Sequence, residues 1–166
     1  MFASNARHYE STRETLSLAH YCWALVVAMV WLGCAGSVHH DETAAAEKAE
    51  EFARIAFVQQ DIANGYGLLA DGTKRYVSLA QFKAVVERLH PRTLPKTVTA
   101  TEYEPMVGEN AIYIYLTGEN SGEHFYYRLI LEGTATTGYR VLRLDRGGTP
   151  YPQSSDKKSF ARQKKR

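Results

Sequence analysis

Five tyrosines, Tyr113, Tyr115, Tyr126, Tyr127 and Tyr139, crowd into one stretch of a 166-residue chain. A phenol turned into an apolar pocket donates a hydrogen bond to a carbonyl or a developing oxyanion. Such a site also needs a carboxylate base within reach of the substrate. Asp61 and Asp71 are the acids placed to supply one, and Asp71 precedes Gly72, where the pair reads as a turn. The candidate pocket is therefore Tyr113, Tyr115, Tyr127, Tyr139 and Asp61. Tyrosine also packs well on a half-buried sheet, and non-catalytic ligand contacts use the same side chains. No catalytic residue is assigned on these grounds.

Other chemistries lack their residues. His39-His40-Asp41 offers a loose metal grip, but a third ligand from His90 or His124 needs a fold contact that spacing does not supply, so no metal is expected. There is no Gly-x-Ser-x-Gly and no phosphate-cradling glycine loop, and no cofactor is expected. The net charge is +2, with Lys157, Lys158, Arg162, Lys164, Lys165 and Arg166 gathered at the end. The stretch between residue 34 and that cluster is mildly acidic, which argues against a nucleic-acid partner. Residues 154–166 have little to bury and read as a disordered basic tail, either solvated or attracted to anionic lipid.

Residues 16–33 form an apolar run without Asp, Glu, Lys or Arg, closing on Leu32-Gly33-Cys34. With Arg7 and Arg13 ahead of it, the segment resembles a bacterial lipoprotein signal. That resemblance implies a diacylglycerated Cys34 as mature N-terminus, with Trp31 standing where the family favours leucine. Cleavage after Ala35 and an uncleaved anchor are the alternatives. Each places the remaining domain outside the cytoplasm. Cys22 lies inside the run, so no disulfide pair survives cleavage and the core alone must hold the domain. The organisation expected is a signal at 1–33, a linker at 34–42, a domain at 43–153 and the tail at 154–166.

Elements that could position the tyrosines follow from periodicity. Asp41 is an N-cap for a first helix whose stripe is Ala45, Ala49, Phe52, Ile55, Ala56, Gln59, Ile62 and Tyr66. Glu50 and Arg54 make an i, i+4 pair, and Asn64-Gly65 and Gly67 predict a break or a second short helix around 61–70. Ser78 and Gln81 form a capping box with Val77 and Phe82 as its hydrophobic staple, and Pro91 ends that helix. From residue 97 the pattern alternates: 97–103, 111–116, 125–131 and 139–144 read as strands joined by hairpins. The fold class is α+β, with N-terminal helices packed on a curved antiparallel sheet of about four strands.

This order, closing on Gly138-Tyr139-Arg140-Val141-Leu142-Arg143-Leu144, resembles the NTF2-like (cystatin-like) superfamily over residues 43–146. The resemblance implies a curved sheet wrapped around the long helix with a conical pocket. It also implies a homodimer through the outer sheet face, where Tyr126 and Ile130 lie. With the signal, it suggests a lipid-anchored, non-enzymatic envelope domain. Such a domain would bind a partner protein or an apolar small molecule. A ketosteroid-isomerase- or dehydratase-like enzyme using a pocket tyrosine with Asp61, and a structural envelope lipoprotein, are the alternatives.

Overall fold

The structure, a computed structural model, describes residues 38–160. Cys34 and the apolar run at 16–33 lie outside them, as do residues 161–166. Among the described residues no helix is long and apolar enough to cross a membrane.

Helix α1, Glu42–Ala53, starts where an aspartate can accept the orphan amide of the first turn: Ala44 N donates to the Asp41 carboxylate at 2.9 Å. Ala45, Ala49, Phe52 and Ala53 form its buried stripe. The stripe continues through a π-helical turn, Arg54–Val58, that buries Ala56 and Phe57. Gln60, with φ of 56°, then breaks the helix, and Asp61 caps α2, Ile62–Gly67. The Asp71-Gly72 turn expected from sequence is instead the start of a one-turn helix, α3, Asp71–Lys74. Ala70, extended just before it, supplies the carbonyl that Lys74 N reaches at 3.1 Å. Helix α4, Leu79–Leu89, carries the full capping box, with Ser78 N donating to Gln81 Oε1 at 2.8 Å and Gln81 N to Ser78 Oγ at 3.3 Å. His90 leaves helical geometry ahead of Pro91, which disfavours it there.

Strands β1 (Thr97–Pro105), β2 (Ala111–Asn120), β3 (Glu123–Glu132), β4 (Arg140–Gly147) and β5 (Lys158–Ser159) form one antiparallel sheet in the order β4-β3-β2-β1-β5. The β2–β3 hairpin closes through Ser121 and Gly122, both at positive φ, between paired Asn120 and Glu123. That geometry matches strand twist, and glycine accepts it without strain. Period-two alternation sends Ile112, Ile114, Leu116, Phe125, Tyr127, Leu129 and Leu131 to the inner face, where Phe52, Phe57 and Phe82 meet them. Each such aromatic contributes about 2–3 kcal/mol through removal from water. Residues 68–70 are stitched to the edge strand β4, with Ala70 N donating to Val141 O and Val141 N to Leu68 O. The result is an α+β fold with helices on one face of an open five-stranded antiparallel sheet.

Two expectations change. The Glu50–Arg54 pair is not formed; Glu50 Oε1 accepts instead from Ala100 N on β1 at 2.6 Å. A strand amide at a bulge lacks a ladder partner and outcompetes a solvated guanidinium. The domain also does not end at 153. Residues 148–157 cross the outer sheet face from β4 to the opposite edge, and β5 pairs Ser159 with Glu102 and Lys158 with Tyr103. Phe160 packs its ring 4.8 Å from Tyr103. Composition hid this because the segment carries few apolar residues, yet Tyr151, Lys157 and Phe160 each find an aromatic to cover.

Candidate functional site

The structure does not bring the five candidate pocket residues to one cavity. Tyr113 and Tyr115 stand on the outer sheet face, whereas Tyr127 stands on the inner face inside the core. Tyr139, in the loop before β4, is buried with its hydroxyl accepting from Asp41 N at 2.9 Å, which ties that loop to the start of α1. Burial raises its pKa. Asp61 is occupied as the α2 cap: Asn64 donates to it through the backbone at 3.1 Å and through the side chain at 2.7 Å. Those two bonds hold its carboxyl below the ordinary range, the opposite of what a general base requires. The tyrosine–carboxylate pair needed for isomerase chemistry is not assembled.

Tyr127 has a different partner, His90. The Val86 carbonyl accepts from Nδ1 at 3.0 Å, which leaves Nε2 unprotonated to accept from the Tyr127 hydroxyl at 2.7 Å. Phe57 and Phe125 wall the pair. Burial, and to a lesser degree the Arg146 charge, pushes the histidine pKa down, and burial pushes the tyrosine pKa up. Both groups are neutral, satisfied and closed off. Sequence alone reads His90 only as a helix end, because its partner lies on a strand distant in the chain.

The outer face carries a denser polar cluster. Tyr115 donates to Glu104 Oε2 at 2.8 Å, and burial followed by that bond raises its pKa. Arg128 pairs with Asp145 at 3.0 Å and lies over the rings of Tyr113 and Tyr151. The Lys157 side chain is 1 % exposed, with Nζ 3.2 Å from Glu102, 3.1 Å from the Tyr151 carbonyl and 4.0 Å from the Tyr115 ring centroid. Arg128 pairs with Asp145 and Lys157 with Glu102, although among the described residues Arg128 Nε is buried without a partner, so the cluster fastens the crossing segment. That segment also occupies part of the face through which dimers of the resembled superfamily would form. Tyr126 and Ile130, further along it, are half-buried.

His40 departs from the solvated linker expected of it. It is 4 % exposed and its Nε2 lies 3.3 Å from the Glu109 carbonyl. Among the described residues no three His, Cys, Asp or Glu side chains converge as metal ligands.

The concavity with open chemistry lies elsewhere, between α1 and β1. Glu47, Glu50, Glu51 and Arg54 on α1 and its π-turn, with Val58 and Gln59, face Lys96, Thr97, Val98 and Thr99 across a cleft of about 670 Å³. Strand β1 is covered on its far side by β5 only at Glu102 and Tyr103, with one further bond from Phe160 N to the Thr101 carbonyl at 3.0 Å. Among the described residues no strand covers 97–100. An open strand edge is a template for another extended segment, and the adjoining glutamates suit basic side chains on it. Sequence reasoning missed this cleft. Its one signal was the i, i+3, i+4, i+7 spacing of Glu47, Glu50, Glu51 and Arg54, a polar stripe down one side of a helix.

Compared with known proteins, the chain matches no family model, no curated protein and no solved structure.

Proposed function

We propose that this chain is an NTF2-like domain, tethered to the bacterial envelope through acylated Cys34, that binds a partner protein and catalyses no reaction. The observation supporting this reading is the stretch 97–99 of β1, which no described strand covers, beside the glutamate-lined cleft. It suits an extended segment that adds a strand and offers lysine or arginine to Glu47, while Glu50 already accepts from Ala100 N and Glu51 pairs with Lys48. An apolar small molecule is the poorer occupant, since the inner-face aromatics Phe52, Phe57, Phe82 and Tyr127 pack into one buried core. The apolar run and Leu32-Gly33-Cys34 support the tether.

The test is photo-crosslinking in a bacterial host expressing the full chain, with a benzophenone amino acid in place of Thr99 or, as control, of Thr136. A discrete intermolecular adduct from position 99 alone, identified as one envelope protein, supports the binding surface. Absence of any intermolecular adduct at 99, with and without residues 161–166, removes it. Intact mass of the membrane-extracted chain must show an acylated Cys34 start, and Cys34→Ser must abolish the acyl mass and the cleavage at that site. A membrane-extracted chain whose N-terminus is anything other than an acylated Cys34 refutes the tether.

A further inference from the structure

We propose that Glu50 is a two-position latch on the β1 edge, closed on the Ala100 amide and open on Arg54, which an incoming strand must shift in order to bind. This rests on the reading of that edge as the binding surface. Among the described residues, the last bond from the β5 side of the edge runs from Phe160 N to the Thr101 carbonyl. The neighbouring amide, Ala100 N, is held by Glu50 Oε1 at 2.6 Å. A strand laid along 97–100 adds through main-chain bonds and needs that amide as a donor to its own carbonyl. Carboxylate and carbonyl therefore compete for one N–H. The carboxylate has two advantages: its bond is charge-assisted, and it is already tethered beside the amide. A charged side chain at a strand edge is also a recurrent means of keeping stray strands off.

Arg54 is what allows the latch to open. Arg54 N donates to the Glu50 and Glu51 carbonyls, so helical geometry runs through 50–54 and the two side chains are i, i+4 neighbours. Arg54 is exposed and lines the same cleft as Glu50. The carboxylate thus has a second resting place one turn along the helix, and moving there leaves Ala100 N to the incoming chain. Glu51, next in sequence, is engaged with Lys48. The latch also sets the chemistry of the partner. An acidic segment would bring a carboxylate to Arg54, take the open position away and leave Glu50 on the amide. A neutral or basic extended segment leaves Arg54 available.

Two measurements on the full chain test this. The first is NMR-detected hydrogen exchange of the Ala100 amide. Glu50→Ala should speed it about tenfold, as expected for loss of one bond to a charged acceptor. Arg54→Ala should slow it about twofold, because the open position loses an exposed ion pair. In the Glu50→Ala background, Arg54→Ala should change nothing. Glu50→Gln still caps the amide without pairing with Arg54, so its exchange should stay within about twofold of the parent. The second measurement is benzophenone crosslinking from position 99 in the expressing host. Glu50→Ala should raise the yield of the intermolecular adduct several-fold, and Arg54→Ala should lower it. Ala100 exchange unmoved by Glu50→Ala overturns the latch, as does an Arg54 effect that persists without Glu50. An adduct whose yield ignores Glu50 removes the latch alone and leaves the binding surface standing. Absence of an adduct in every variant, Glu50→Ala included, removes both.

Discussion

At the scale of single residues, the His90–Tyr127 pair sets a measurable dependence of stability on pH. Its histidine is held neutral by burial, with Arg146 reinforcing the effect, so the folded pKa lies below the ordinary value near 6.5. In the window between that value and the lower folded one, the unfolded chain binds a proton that the folded chain refuses. Stability is thus fully present above about pH 6.5 and falls as the pH drops through the window. Urea unfolding at steps from pH 7.5 to 5.5 should show that decline. Replacing both partners, His90→Leu with Tyr127→Phe, should flatten it, because no titrating group then remains at the site. Tyr127→Phe alone strands Nε2 in an apolar wall and should cost about 1–3 kcal/mol at pH 7.5. A double variant with an unchanged pH slope would move the titrating group elsewhere. The dyad's chemistry was half legible in the sequence: Tyr127 could be assigned to a strand face by alternation, but its acceptor is a residue whose contact depends on how α4 settles on the sheet.

At the scale of elements, close approach and fastening do most of the positioning. α2 lies so near the π-turn that a Cβ at Gly65 would sit 2.9 Å from the Ala56 Cβ. Gly65→Ala would gain up to about 1 kcal/mol from helix propensity alone, while overpacking against a buried neighbour costs about 1–3 kcal/mol. Net destabilisation is expected in denaturant titration. A stabilised variant would mean that α2 does not hold this distance in solution. The crossing segment is fastened at Lys157, whose ammonium has exchanged water for Glu102, the Tyr151 carbonyl and the Tyr115 ring. Lys157→Met keeps the stem but leaves Glu102 without its cation, and should lower stability by about 2 kcal/mol. Hydrogen exchange should show the loss concentrated at residues 102–103 and 157–160, with β2–β3 little changed. An exposed lysine elsewhere, such as Lys83 with its Glu87 partner at 3.8 Å, gives the contrast: its loss should be within about 0.5 kcal/mol of neutral.

At the scale of the whole molecule, local rules and long-range closure separate cleanly. Asp41, the Ser78/Gln81 box and the alternation in 111–131 are local signals, and each element formed where its signal stood. Asn64-Gly65 and Gly67, read as loosening the chain, lie instead inside the short helix α2, and the break falls at Gln60. The candidate site was far less legible. Alternation places Tyr113 and Tyr115 opposite Tyr127, so a pocket using all three was excluded by the same period that predicted the strands. The cleft needs α1 and the β1 edge brought side by side, a non-local fact. Closure of the sheet by β5 is likewise non-local, since its two residues carry no strand signal and are held by Lys157 and Phe160 from either side. This gives a prediction about where the fold ends. A chain stopped after Gln153, the boundary that composition suggests, loses β5, the Lys157 anchor and the Tyr103–Phe160 contact together. With a loss of a few kcal/mol, the melting temperature should fall on the order of 10 °C in a domain of this size. A chain stopped after Phe160 keeps all three and should melt within about 2 °C of the full chain. Equal melting of the two shortened chains would show that residues 154–160 cover the sheet without holding it. Unequal melting would place the boundary of the cooperative unit at the aromatic contact of Phe160 rather than where the chain turns basic.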